Sequence, residues 1–246
     1  MNRLVIIGNG FDMAHGLRTS YMDFINWYWD QRVYGFIGNT TNVSQDCLCK
    51  LVIKETGDFS CWNVFAASNS YFFKDLYQKE RYSGSEVFQE IKQHPETFMV
   101  ECSPFFETIL QSIESKGWVD IENDYYQLLK DSINNPRCEY TITGLNQQLA
   151  FIQSKLVEYL STIKEGEYKS EYQKAITDYF NPDDFSTEGR VRALDNMGLD
   201  FDRPYDKQYF QEEHEKLAPE RIMLLSFNYT KTAQLYGGSN VVHNYI

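Results

Sequence analysis

The stretch LVIIGNGFDMAHGLRTSYMD, Leu4 to Asp23, decides the fold class. An apolar run rich in β-branched residues breaks on Gly8, Asn9 and Gly10. Helix-compatible sequence follows from near Phe11 or Asp12, so the segment reads as strand, tight turn and helix start. Two glycines at such a turn allow φ > 0 and a close backbone approach to a ligand. The first N–H groups of the helix lack intrahelical acceptors and point at whatever fills the turn. A phosphate is the expected occupant, with Gly8, Asn9, Gly10, Phe11 and Asp12 around it. The spacing departs from the dinucleotide fingerprint G-x-G-x-x-G, because Met13 stands at the third glycine position, and the chain holds no G-x-x-x-x-G-K-[ST] loop. A glycine turn that merely ends a buried strand explains this segment about as well.

A second segment, RIMLLSFNY from Arg221 to Tyr229, shifts the balance. It reads as another short apolar strand, and it ends on Ser226, Asn228, Tyr229 and Thr230. In open α/β sheets ligands sit beyond the carboxyl ends of the strands. Both polar tips are expected there. The Asn228 amide can donate and accept, Tyr229 offers a ring face and a hydroxyl, and Thr230 can cap a helix over residues 232–236. A cap and turn without a ligand is the plainer reading.

The two segments together carry a resemblance. IIGNGFDMAHGLRTSYMDF, followed far downstream by LLSFNYT, resembles the AbiH family of bacterial phage abortive-infection proteins, and Trp118 to Glu122 resembles that family's Trp-x-x-x-Glu segment. AbiH proteins in turn look like distant relatives of sirtuin-like domains, where a Gly-x-Gly turn binds the NAD pyrophosphate and an Asn after a later strand sits beside the nicotinamide ribose. The resemblance therefore implies NAD or a related nucleotide as cofactor, Gly8 to Asp12 at its phosphates, and Asn228 at the reacting end. Thr230 stands where sirtuin-like domains have Asp, and their His-Gly pair would fall beyond Ile246. The apolar run from Val241 to Ile246 leads us to expect further chain after it.

Composition narrows the class. A formal charge of −12 opposes general binding to nucleic acid or to an anionic membrane. No apolar run approaches the roughly 20 residues that span a bilayer, and no charged leader precedes the first strand, so a cytoplasmic location is expected. The five cysteines lack paired C-x-x-C spacing, and no metal is expected; Cys47, Cys49, Cys61 and His94 could be forced into a site, but reduced structural thiols fit better.

Between the two ends the pattern is helical. Ser20 with Asp23 forms a capping-box signature ahead of Tyr21, Phe24, Ile25 and Tyr28. Ser103-Pro104 opens a helix carrying Phe105, Phe106, Ile109, Leu110 and Ile113, and Leu145, Leu149, Ile152, Leu156, Tyr159 and Ile163 repeat at helical spacing between Gly144 and Gly166. Loops are expected at 35–46, 79–85, 134–140 and 181–219. The expected architecture is α/β: a Rossmann-like small parallel sheet built from residues 1–30 and 220–246, a large helical insertion at 62–180, and helices over the sheet faces, within a single AbiH-like domain spanning 1–246.

His15 could serve as an acid or base facing the pocket, or bond a neighbour on its own helix. Asp12 suits the helix dipole and could hold a ribose hydroxyl, and Thr19 with Arg18 could reach an anion. Three functions stay open. One is an enzyme cleaving the nicotinamide–ribose bond, with Asn228 and His15 as catalytic groups. The second is a non-catalytic sensor of a nucleotide or a phage-derived trigger, and the third a structural or toxin-like protein acting through its 16% aromatic residues. Homo-oligomerisation is compatible with each.

Overall fold

Six residues, Asn2–Ile7, form the first strand, β1, in a computed structural model that describes residues 1–37, 42–54, 82–116, 120–135, 138, 140–200, 202–212 and 217–246. The chain divides into two units, Met1–Arg18 with Lys164–Ile246, and Thr19–Ile163.

In the first unit β1 is followed by helix α1 (Asn9–Ala14), as the glycine turn predicts. Strand β5 (Arg221–Ser226) lies parallel to β1 with Ile7 opposite Ser226, and β6 (Val241–Tyr245) lies parallel to β5 with Ser226 opposite Tyr245. The order β1-β5-β6 puts the strand with the cleanest alternation in the middle. One face of this sheet buries Ile7, Ile222 and Leu224 against Ile176 of α7 (Ser170–Thr177) and against Ala233 and Tyr236. The other face leaves Leu4 57%, Ile6 66%, Met223 43% and Val242 55% exposed, so among the described residues the expected helical cover is seen on one face only. The mixed α/β class with a small parallel sheet is as expected.

Residues 181–219 are not simply a loop. They hold α8 (Thr187–Asn196) and α9 (Pro204–Glu212), whose Ala193, Leu194 and Phe210 form a separate small core with Leu217. Ser186 caps α8 by accepting the Gly189 N–H. The polar composition that suggested a loop belongs to the solvated faces of two short amphipathic helices.

The second unit has one large core under α2 (Tyr21–Ile37), α3 (Gly84–Gln93), α4 (Pro104–Lys116), α5 (Ile121–Asn134) and α6 (Ile142–Thr162). The Ser20–Asp23 capping box is present, with Asp23 N–H donating to Ser20 Oγ at 3.1 Å and Ser20 N–H donating to Asp23 at 3.2 Å. Gly144 lies inside the first turn of α6 rather than ahead of it, because Thr141 supplies the cap. The helical reading missed an antiparallel sheet, β2 (Val43–Gln45), β3 (Cys49–Ile53) and β4 (Phe98–Cys102), in the order β2-β3-β4. Its strands are three to five residues long, too short for their period of two to stand out. Strand β2 falls within the loop expected at 35–46. Trp118 and Cys61 lie outside the described residues, as do residues 79–81 of the loop expected at 79–85, whose last two residues open α3.

Candidate functional site

Parallel pairing brings the two sequence segments together. Because β1 and β5 run side by side and end in register, the Gly8–Gly10 turn and residues 227–230 leave the same carboxyl edge of the sheet, and the Phe227 N–H donates to Ile7 O at 2.9 Å. Gly8, Asn9 and Gly10 are exposed. A β-carbon at Gly8 or Gly10 would meet nothing within 4 Å, so the space above both is open. Neither glycine has positive φ: Gly8 sits at −123°, and the left-handed residue is Gly16 at 76°. The turn therefore uses glycine for clearance, whereas Gly16 ends α1, with its own N–H donating to Met13 O and the Leu17 N–H to Asp12 O.

A buried polar chain ties the two loops. Asp12, 1% exposed, accepts from Thr230 Oγ1 at 2.8 Å, and the Thr230 and Thr232 hydroxyls lie 2.9 Å apart. The Thr232 N–H donates to Thr230 Oγ1 at 3.4 Å, so Thr230 does support the following turn, which is a 3-10 helix over Thr232–Leu235. Ser226 is buried and accepts the Asn228 N–H at 3.3 Å. Tyr229 is 77% exposed.

Asn228 differs from all of these. Its amide oxygen and nitrogen are both shut off from solvent, and neither has a hydrogen-bond partner. Buried polar side chains are normally satisfied, because leaving such a group unpaired costs about 1–3 kcal/mol.

His15 is buried and fully engaged. Its Nδ1 lies 2.6 Å from Phe11 O, which can only accept, so Nδ1 carries the proton. Its Nε2 is bonded to the Tyr236 hydroxyl, which also accepts the Lys169 N–H at 3.1 Å. Burial pushes the Tyr236 pKa above its ordinary value against the opposing Lys169 N–H. Phe11 and Tyr172 flank the imidazole, with ring centroids 4.4 Å and 4.9 Å away. The sequence reading missed Tyr236, Thr232 and Lys169. Nothing local marks them; they reach α1 only once the sheet forms. Thr19 is assigned to the Thr19–Ile163 unit.

His94 is bonded to Glu90 and Glu96 at the end of α3, Glu122 is exposed in the first turn of α5, and His243 on β6 lies 3.3 Å from the Tyr245 hydroxyl. His214 lies outside the described residues. Among the described residues no three His, Cys, Asp or Glu side chains are grouped to hold a metal, and no helix is long and apolar enough to cross a membrane. The second unit contains a cavity of about 600 Å³ that the sequence did not suggest, walled by Ile25, Trp29, Phe88 and Phe98 and rimmed by Lys92 and Glu107.

Comparison with known proteins bears on both ends of the chain at once. The family model described as Bacteriophage abortive infection AbiH matches residues 4–246. The chain belongs to the AbiH family. Membership covers the glycine turn and the Asn228 segment alike and supports a role in phage abortive infection. No curated protein and no solved structure matches.

Proposed function

We propose that this AbiH protein binds a nucleotide, NAD being the first candidate, across the Gly8–Gly10 turn and the Ser226–Thr230 segment. The observation that carries the reading is the Asn228 amide, buried and unpaired beside a turn with open space above it. A ribose hydroxyl would pair with this amide once the Asn228 side chain turns outward, and phosphate oxygens would be drawn to the N-terminal end of α1. Three parallel strands with loops converging at their carboxyl ends suit a Rossmann-like mode of binding. Loss of a cofactor pool, or its sensing, would each fit abortive infection.

His15 favours binding without hydrolysis. With Nδ1 donating to Phe11 O and Nε2 held by Tyr236, neither nitrogen is free to take a proton from water. Catalysis would then rest on Asn228 alone.

Thermal unfolding with NAD tests the binding. A nucleotide at about 100 times its Kd stabilises by roughly 2.7 kcal/mol. Gly10→Val should abolish the shift and leave the ligand-free Tm nearly unchanged, because a β-carbon at this position meets nothing within 4 Å while the branched side chain fills the space above the turn. An unchanged shift in Gly10→Val refutes the cradle. Release of nicotinamide from NAD decides between enzyme and sensor.

A further inference from the structure

The second unit carries a pair of thiols that the proposed nucleotide site does not use. Cys49 and Cys102 stand directly opposite each other on β3 and β4, with their sulfurs 3.8 Å apart. The Cys49 N–H donates to Asp46 Oδ1, and the Cys49 carbonyl accepts from Asp46 N–H and from Arg32, so neither backbone group faces β4. The Ser103 N–H meanwhile donates to Leu48 O. This is the non-hydrogen-bonded type of antiparallel pair, in which Cα atoms lie about 4.5 Å apart and side chains are closest. That spacing falls within the window for a disulfide, and side-chain rotation alone must bring the sulfurs to about 2.05 Å.

The two sulfurs are not equivalent. Cys49 is 2% exposed, whereas Cys102 is half-buried and lines the cavity of about 600 Å³. The hydrogen bond between them lowers the Cys102 pKa and, with burial, raises that of Cys49. A small reagent entering the cavity meets the more acidic thiol first.

We propose that Cys49 and Cys102 form an oxidisable dithiol site that reacts with hydroperoxides. The Cys102 thiolate attacks the peroxide, an S–O bond forms as the O–O bond breaks, and hydroxide leaves. Cys49 then attacks the Cys102 sulfur, the S–S bond forms, the S–O bond breaks, and the departing hydroxide takes the Cys49 proton as water. Two thiols and one hydrogen peroxide thus give one disulfide and two waters. The product links β3 to β4 across one wall of the cavity.

The test is oxidation of the full chain with one equivalent of hydrogen peroxide, followed by non-reducing peptide mapping. The expected result is a Cys49–Cys102 linkage in severalfold excess over any linkage through Cys47, Cys61 or Cys138. Cys49→Ser should leave Cys102 as a sulfenic acid that a 1,3-diketone probe captures, while the wild-type protein gives little adduct. Cys102→Ser should yield neither linkage nor adduct at Cys49. A dominant linkage through another cysteine, or thiols at 49 and 102 that survive peroxide intact, overturns the proposal.

Discussion

Single residues decide whether the candidate site is a site at all. Asn228 reads from sequence as a polar residue after a strand, which a turn alone would explain; its burial without a partner appears only in three dimensions. Removing the amide from the ligand-free protein removes an unsatisfied group, so Asn228→Ala should hold or raise the Tm. It should also weaken nucleotide binding by about 1–3 kcal/mol, roughly 5- to 150-fold in Kd by calorimetry. A variant that loses stability while keeping its affinity would make Asn228 a turn residue. Tyr236 is the structural counterpart. It is fully buried, bonds His15, and accepts the Lys169 N–H, so Tyr236→Phe strands two partners. Urea unfolding should register a loss of about 1–3 kcal/mol.

At the scale of elements, the contact between α2 and α3 is set by one glycine. A β-carbon on Gly84 would lie 2.1 Å from Asp30 N and 2.3 Å from the Trp29 carbonyl carbon, both backbone atoms that cannot swing aside. The close approach lets Trp29 stack on Phe88 with centroids 3.5 Å apart, and Gly84 N–H donates to the Asp30 carboxylate. Gly84→Ala should therefore force the helices apart and cost about 3 kcal/mol or more, as a lower midpoint in urea. The capping serine ahead of it, Ser83, is independent of that packing, and Ser83→Ala should cost only about 1 kcal/mol. Equal losses in the two variants would contradict the close-packing account.

On the scale of the whole molecule, the glycine turn and the Asn228 segment belong to one unit and the cavity to the other. Hydrogen exchange with NAD distinguishes them. Protection is expected in residues 8–16 and 226–236, with the Thr19–Ile163 unit unchanged. Protection confined to the α2, α3 and α4 segments would move the binding site to the cavity instead.

Elements whose signals are local follow directly from the order of residues. The β1–turn–α1 unit follows from an apolar run broken by glycines, the capping box at Ser20 from a three-residue spacing, and the α4 and α6 cores from a 3.6-residue period. The joint placement of Gly8–Gly10 with Ser226–Thr230 was legible because the carboxyl ends of parallel strands share an edge. Tertiary structure alone decided the rest. Strands β2, β3 and β4 are too short to advertise their period, and β3 finds β4 only across some 50 residues of chain, as with Cys49 opposite Cys102. His15 meets Tyr236, 221 positions away, only after β1 and β5 align. Gly84 looks like any helix-start glycine until Asp30 presses against it, because a missing side chain leaves no trace in sequence of what it makes room for.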